Sequence, residues 1–216
     1  MFFFANYLFS QRVKEKTNLW KAYAHFGYIM QHRNSMGHLV NGHVYGAELN
    51  YTIPSYGINC YECENNFPEK GIGLYWFNLG NPEQLGNLFG LSPHFEIPLN
   101  KRQSNFRSYL RLSLGVAYVT KYFDPLNNHQ NNVMSTPING FVNVKWLMKY
   151  QLSKKLRLDY GVSLSHASNG KTRVPNLGIN LGTLNLALTF NHVPKSAVIQ
   201  DFVTCIDSTT YRKSKN

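Results

Sequence analysis

Apolar and polar residues alternate along most of the chain. In segment 180–190, Leu184, Leu186 and Leu188 occupy every second position, and polar or small residues fill the positions between them. Successive side chains of a β-strand point to opposite faces of a sheet, so this pattern predicts a strand with one apolar and one polar face. Similar alternation predicts eight strands in all, in segments 20–30, 43–53, 71–78, 85–98, 108–120, 141–151, 159–168 and 180–190.

The length of these segments favours a barrel that spans a membrane. A tilted transmembrane strand needs about 9–11 residues, and most of the predicted strands reach that length. The chain has 216 residues and no apolar run long enough for a transmembrane helix. The apolar stripes end in aromatic residues, as in the girdles of membrane barrels: Trp20, Tyr118, Trp146, Tyr150 and Tyr160. We therefore expect an all-β fold, an eight-stranded antiparallel transmembrane β-barrel over residues 20–190.

The polar faces of the predicted strands also carry charged and titratable residues. These are Glu48, His94, Glu96, Arg111, Lys145 and Lys149. In a small membrane barrel such residues lie inside and pair with one another. In a soluble barrel of the lipocalin type the two faces are reversed, and the apolar stripes form the core. Periodicity alone does not separate these two arrangements, but the aromatic ends of the stripes favour the membrane barrel.

The chain is basic, with 22 Lys+Arg against 11 Asp+Glu and a net charge of +11. The cations are spread over turns and alternate strand positions instead of lining one helix or loop, so we expect no nucleic-acid partner. Anionic headgroups of outer-membrane lipid account for the excess at least as well.

Cysteines and histidines do not form a recognisable metal site. Cys60-x-x-Cys63 has no second Cys/His pair at zinc spacing, and a third cysteine, Cys205, lies near the end of the chain. This usage favours a local disulfide or free thiols. The histidines other than His166 share no spacing typical of ligands: His25, His32, His38, His43, His94, His129 and His192. We expect neither a metal nor another cofactor.

Both ends of the chain lie outside the predicted barrel. Segment 1–19 begins with an apolar stretch that lacks a basic start. It is interpreted either as the remnant of a secretory signal or as a mature terminal segment. Residues 191–216 show little alternation and are predicted to be a C-terminal tail.

The candidate chemistry lies at the end of the strand predicted over 159–168. His166 and Ser168 lie two residues apart, so their side chains point to the same face of that strand, which is the apolar one. In a membrane barrel that face contacts lipid. A base and a nucleophile placed there indicate a lipid substrate.

Nucleophilic attack by Ser168 requires a base. His166 lies on the same face of the predicted strand and within reach of Ser168, so it can act as that base. The oxyanion that forms requires donors, and the backbone N–H groups near Asn169 and Gly170 are candidates. The chain has no G-x-S-x-G sequence, which argues against an α/β-hydrolase.

Topology places this pair at one end of the barrel. With an even number of strands both ends of the barrel lie on the periplasmic side, so the connection 171–179 faces outward. Asn180 is the first residue of the last predicted strand, and its side chain points to the same apolar face as that of Leu184. We therefore expect His166, Ser168 and Asn180 to converge near the outer leaflet of a Gram-negative outer membrane, where lipopolysaccharide has its acyl chains.

The motif His-x-Ser-Asn at 166–169, followed by Pro-Asn-x-Gly-Ile at 175–179, resembles the active-site signature of the outer-membrane lipid A 3-O-deacylases, the PagL family. The resemblance implies an eight-stranded outer-membrane barrel that hydrolyses the ester-linked acyl chain at the 3-position of lipid A. It also implies roles for individual residues: nucleophile for Ser168, general base for His166 and oxyanion assistance for Asn176.

The chain departs from that pattern at Asn180, where the family has a glutamate that orients the histidine. An amide oxygen can accept the ring N–H of His166, but it supplies no full negative charge. In a serine protease, replacing the acid by its amide costs about 10⁴ in turnover. Three hypotheses stay open: an active lipid A esterase, a catalytically impaired or non-enzymatic outer-membrane barrel, and a soluble lipocalin-like lipid-binding barrel.

Overall fold

A computed structural model describes residues 18–55, 60–100, 106–153 and 156–190, which form a closed antiparallel barrel. The strands are β1 (Leu19–Ile29), β2 (Val44–Ile53), β3 (Glu69–Asn78), β4 (Asn87–Pro98), β5 (Phe106–Val119), β6 (Ile138–Gln151), β7 (Leu156–Ser168) and β8 (Ile179–Phe190). Each strand pairs with the next in sequence, and β8 pairs with β1 to close the sheet. The predicted all-β, eight-stranded antiparallel barrel is confirmed.

A 3-10 helix (Asn34–Leu39) and a short helix α1 (Cys60–Glu64) lie in two of the connections. Among the described residues, no helix is long and apolar enough to cross a membrane. The interpretations of segment 1–19, apart from its last two residues, and of tail 191–216 lie outside the described residues, as do the side chains of the Cys60-x-x-Cys63 motif. They stay predictions.

Strand β4 begins two residues later than the pattern predicted, at Asn87. Leu85 and Gly86 belong to the preceding turn, where both of their N–H groups donate to the Asn81 carbonyl, at 2.9 and 2.8 Å. Gly86 has a φ of +63°, a conformation that favours glycine. The turn therefore takes up two N–H groups that the alternation alone had assigned to the strand.

The outer wall of the barrel is apolar and the inner wall is largely polar. Leu114 and Leu184 on the outside are 69% and 64% exposed, whereas Arg111 and Glu48 inside are 0% and 1% exposed. This is the arrangement of a barrel whose outer wall contacts lipid. It is opposite to that of a lipocalin, in which the apolar stripes form the core, and it rules out the soluble alternative.

The buried charges pair with one another across the barrel, as expected from the sequence. Glu48 contacts Arg111 and Lys145, and its Oε2 lies 2.8 Å from His25 Nε2. Further pairs join neighbouring carboxylates and cations: Lys21–Glu69, Lys149–Glu69, Lys149–Glu96, Arg111–Glu96 and Arg157–Asp159. Buried charges are tolerated when they are paired and hydrogen-bonded in this way.

Replacement of Glu48 by alanine is expected to destabilise the barrel by about 3–5 kcal/mol, because it leaves buried Arg111 and Lys145 without a shared carboxylate. The measurement is urea unfolding of the refolded protein in detergent. Glu83, an exposed residue of the turn before β4, provides the control. If Glu48→Ala unfolds at the same urea concentration as Glu83→Ala, the network does not stabilise the barrel as described.

We call the end of the barrel with connections 30–43, 79–86, 120–137 and 169–178 the loop end. Here loop residues pack with strand residues into one buried apolar cluster. Its members include Met36, Leu39, Val133 and Met134 from the loops and Val44, Phe77, Leu88, Phe141 and Leu181 from the strands. This cluster anchors the loops over the end of the barrel.

Candidate active site

His166 and Asn180 face each other across strands β7 and β8 at the loop end. The register pairs them directly, and His166 Nδ1 lies 2.6 Å from Asn180 Oδ1. His166 is exposed on the outer wall and Asn180 is half-buried. An amide oxygen only accepts hydrogen bonds, so this contact requires a proton on His166 Nδ1 and, in the neutral ring, leaves Nε2 as the basic nitrogen.

A second histidine contacts the other end of the same amide. Asn180 Nδ2 lies 3.0 Å from His32 Nδ1, and His32 Nε2 lies 3.2 Å from the carbonyl oxygen of Leu177. His32 follows β1, which closes the barrel against β8, so it is near Asn180 in space although 148 positions away in sequence. Sequence analysis missed His32, because strand parity carries no information about contacts made by loops.

Ser168 lies two residues beyond His166 at the end of β7, on the same outward face. Its Oγ accepts a hydrogen bond from the Gly170 N–H at 3.3 Å, which is long for this type of bond. Among the hydrogen bonds of the described residues, none joins Ser168 to His166. The structure therefore places the two side chains side by side without an established bond between them.

The connection after β7 brings Asn176 back to the strand end. Asn176 Oδ1 accepts the Asn169 N–H at 3.3 Å. The Asn169 side chain is used within the loops: its Nδ2 donates to Ser135 Oγ and to the Arg173 carbonyl, both at 2.9 Å. The candidate donors near Ser168 are therefore the backbone N–H groups of Asn169 and Gly170 and the amide group of Asn176.

Gly178 packs directly against the His166 ring. It has a φ of +74°, and a Cβ atom built there lies 2.9 Å from His166 Cε1 and 3.2 Å from Ser168 Cβ. A larger residue at this position is strained and displaces the imidazole. The neighbouring loop holds this segment in place, because the N–H groups of Leu177 and Gly178 donate to the carbonyls of Asn132 and Val133.

An open groove of about 470 Å³ runs along the outer wall beside these residues. Much of its lining comes from β5 and β6, and His166, Ser168 and the start of the following loop complete it. The apolar lining residues on the outer wall are Leu114, Val116, Ile138 and Val142. Gly140 lies directly opposite Ser168 in the sheet and contributes no side chain to the groove. The volume of the groove is in the range of small-molecule sites.

None of the described residues forms a group of three or more His, Cys, Asp or Glu side chains suited to hold a metal ion. The chemistry available at the groove is that of an imidazole, a hydroxyl and several N–H donors. Together with the apolar outer wall, these features define an outer-membrane β-barrel with a candidate hydrolytic site in its lipid-facing surface.

This chain belongs to the lipid A 3-O-deacylase (PagL) family, whose model matches residues 5–189. Among solved structures, that of the outer membrane enzyme PagL is similar at 15% identity and a TM-score of 0.52, covering 79% of this chain and 98% of that one. Neisserial surface protein A is similar at 15% identity and a TM-score of 0.50, covering 80% and 96%. These two similarities support the fold. None of the curated proteins matches the chain.

Proposed function

We propose that this protein is a serine esterase that removes the acyl chain ester-linked at the 3-position of lipid A. In this proposal Ser168 is the nucleophile, His166 is the general base and Asn180 orients the base. The observation that carries the proposal is the 2.6 Å contact between His166 Nδ1 and Asn180 Oδ1 on the outward face beside Ser168. Membership of the lipid A 3-O-deacylase family supports the choice of substrate.

The contact with Asn180 favours the tautomer of neutral His166 that the reaction needs. With the proton on Nδ1, the free Nε2 takes the proton of Ser168 as Oγ attacks the ester carbonyl. The imidazolium then gives that proton to the sugar oxygen as the ester C–O bond breaks. Water, deprotonated by His166, next attacks the acyl-enzyme, which releases the fatty acid and returns the proton to Ser168 Oγ. Among the hydrogen bonds of the described residues, Ser168 Oγ takes part only in the 3.3 Å bond from the Gly170 N–H, so turning it towards His166 loses little.

The donors around Ser168 suit the oxyanion of the tetrahedral intermediate. The N–H groups of Asn169 and Gly170 make hydrogen bonds of 3.3 Å, longer than usual for N–H···O bonds. An oxyanion is a stronger acceptor than the amide and hydroxyl oxygens that they contact now. We propose that these N–H groups, with the side chain of Asn176, turn to the oxyanion.

The groove gives the acyl chain a place beside the nucleophile. Its apolar lining from β5 and β6 continues into the lipid-facing wall, so a chain in it stays within the hydrocarbon region. In an even-stranded barrel the loop end faces outward. The substrate is therefore proposed to be lipid A of the outer leaflet, with its acyl chain laid along the barrel wall.

The test is mass spectrometry of lipid A incubated with the protein refolded in detergent. The expected product has lost one hydroxyacyl chain, and fragmentation assigns the loss to the 3-position. Loss of a secondary, acyloxy-linked chain contradicts the proposed position of cleavage. Intact lipid A with a demonstrably folded barrel contradicts the proposed activity.

A catalytically impaired barrel is the second candidate, and the amide of Asn180 is the observation that favours it. The His166–Asn180 geometry is that of an oriented base, but no described carboxylate contacts either residue. The nearest acid in the sequence of β7, Asp159, is fully buried inside the barrel and pairs with Arg157. The same mass-spectrometric assay, extended to a variant at position 180, separates the two candidates.

Replacement of Gly140 by leucine is expected to lower kcat/KM for lipid A by about tenfold or more, since a side chain there fills the groove opposite Ser168. A tenfold loss corresponds to about 1.4 kcal/mol. This is less than the free energy gained when a leucine-sized part of the acyl chain is buried in the groove. A Cβ atom at this position meets only the Ser168 carbonyl, at 3.4 Å, so the barrel should fold.

The control for Gly140→Leu is hydrolysis of a short ester such as p-nitrophenyl acetate, which needs no acyl groove and should change little. Val144→Leu, on the same outward face of β6 but not in the groove, is the matched variant. Equal loss on the long and the short substrate shows that Gly140→Leu disturbs the catalytic residues and that the groove is not the acyl site.

A further inference from the structure

We propose that His32 is a positioning residue that sets the orientation of the Asn180 amide and thereby keeps the basic nitrogen of His166 free. The inference rests on the proposed function, and it goes beyond it by adding a residue from the loop after β1. His32 contacts neither the groove nor Ser168 in the structure. It acts only through Asn180.

The donor and the acceptor of each hydrogen bond between Leu177, His32, Asn180 and His166 follow from the carbonyl of Leu177. The carbonyl of Leu177 only accepts, so the His32 Nε2 that lies 3.2 Å from it carries a proton. In neutral His32 the other nitrogen, Nδ1, is then an acceptor, and it lies 3.0 Å from the Asn180 amide. Only the NH₂ end of that amide can donate to it, which leaves the amide oxygen to face His166 Nδ1 at 2.6 Å.

His32 has to fix the orientation of this side chain because residue 180 is an amide. A carboxylate presents two oxygens and accepts the His166 N–H whichever way it turns. An amide that turns over instead presents its NH₂ group to His166 Nδ1, which must then accept, so that the ring proton moves to Nε2. In that tautomer His166 cannot take the proton of Ser168. His32 therefore excludes the unproductive orientation.

Leu177, which accepts the hydrogen bond from His32, is itself held in place by the neighbouring loop. The Leu177 N–H donates to the Asn132 carbonyl at 3.2 Å, and the next N–H, of Gly178, donates to the Val133 carbonyl at 3.0 Å. Val133 is buried in the apolar cluster at the loop end. The orientation of His32 is thus fixed relative to the packed part of the barrel.

The first arm of the test reads the tautomer and needs no substrate. Ring ¹⁵N chemical shifts of His166, recorded in detergent at a pH where the ring is neutral, distinguish a proton on Nδ1 from one on Nε2. We expect a proton on Nδ1 in the wild type and a mixture of tautomers in His32→Ala. His38→Ala is the matched control, because His38 lies in the same loop and bonds the Gln130 carbonyl instead. An unchanged tautomer in His32→Ala overturns the inference.

The second arm measures turnover of lipid A. His32→Ala is expected to lower kcat about fivefold to tenfold with little change in KM, the size expected from the loss of one hydrogen bond. His32→Gln is expected to recover most of the activity, since its amide offers an oxygen to Asn180 and an NH₂ group to Leu177. In an Asn180→Glu background, His32→Ala should cost less than twofold, because a carboxylate needs no orienting partner.

The two arms separate this inference from the proposed function. A tautomer that depends on His32 without lipid A hydrolysis in any variant supports the positioning role and contradicts the esterase. Hydrolysis that falls equally on removal of His32 in the wild-type and the Asn180→Glu backgrounds contradicts the positioning role and leaves the esterase intact.

Discussion

Replacement of Ser168 by alanine is expected to abolish nearly all lipid A deacylation and to leave only a small residual rate. The hydroxyl is the only group on the outward face beside His166 that can form an acyl-enzyme among the described residues of β7. Removal of the nucleophile of a serine protease costs on the order of 10⁶ in kcat, and the residual rate comes from binding and the oxyanion donors alone. Mass spectrometry of lipid A over long incubations provides the range that this measurement needs.

Ser165 provides the matched control for Ser168→Ala. It lies on the same strand but points inside the barrel, where it is buried and accepts a hydrogen bond from Asn143 at 2.8 Å. Ser165→Ala should retain activity, and both variants should show the heat-dependent gel mobility of a folded barrel. If Ser168→Ala still hydrolyses lipid A at a rate near that of the wild type, Ser168 is not the nucleophile and the proposed mechanism is wrong.

Replacement of Asn180 by glutamate is expected to raise kcat by about 10² or more. The reverse change, from acid to amide beside a catalytic histidine, costs about 10⁴ in a serine protease, where the amide leaves the histidine in the wrong tautomer. Asn180 already holds the productive tautomer of His166, so the gain expected here is smaller and comes from the negative charge that stabilises the imidazolium. Position 180 already lies within hydrogen-bond distance of His166 Nδ1, so the carboxylate enters an existing geometry. The measurement is kcat from initial rates on lipid A across a range of pH.

Asn180→Gln is the control for this gain, since it has the length of glutamate without the charge. A gain that glutamate and glutamine share comes from reach and not from charge, and contradicts the electrostatic account. Activity in Asn180→Glu with none in the wild type identifies the native protein as an impaired enzyme. Inactivity of both, in folded protein, leaves a binding or structural role for the barrel.

Much of the barrel was predictable, because the alternation of apolar and polar residues is a local property of each strand. The wall to which Leu184 and Arg111 belong follows from parity once the apolar side is known to face lipid. The pairing of His166 with Asn180 was predictable for a related reason. Two residues at the facing ends of adjacent antiparallel strands, on the same face, lie close together.

Parity did not predict the limits of β4 or the contents of the loop end. The start of β4 depends on a turn around Asn81 and Gly86 that competes for the same N–H groups. The apolar cluster at the loop end combines loop residues such as Met36 and Met134 with strand residues distant in sequence. Hydrophobic burial is not directional, so a pattern of apolar residues does not specify which loops pack together.

The sequence by itself determined the eight strands, their two faces and the placement of His166, Ser168 and Asn180 on the apolar face. The tertiary structure alone decided what surrounds them. Closure of β1 against β8 brings His32 to Asn180, and packing of the loops presents the Leu177 carbonyl to His32. The physical reason is that side-chain direction repeats with the local period of the backbone, whereas hydrogen bonds between loops depend on how the whole chain closes.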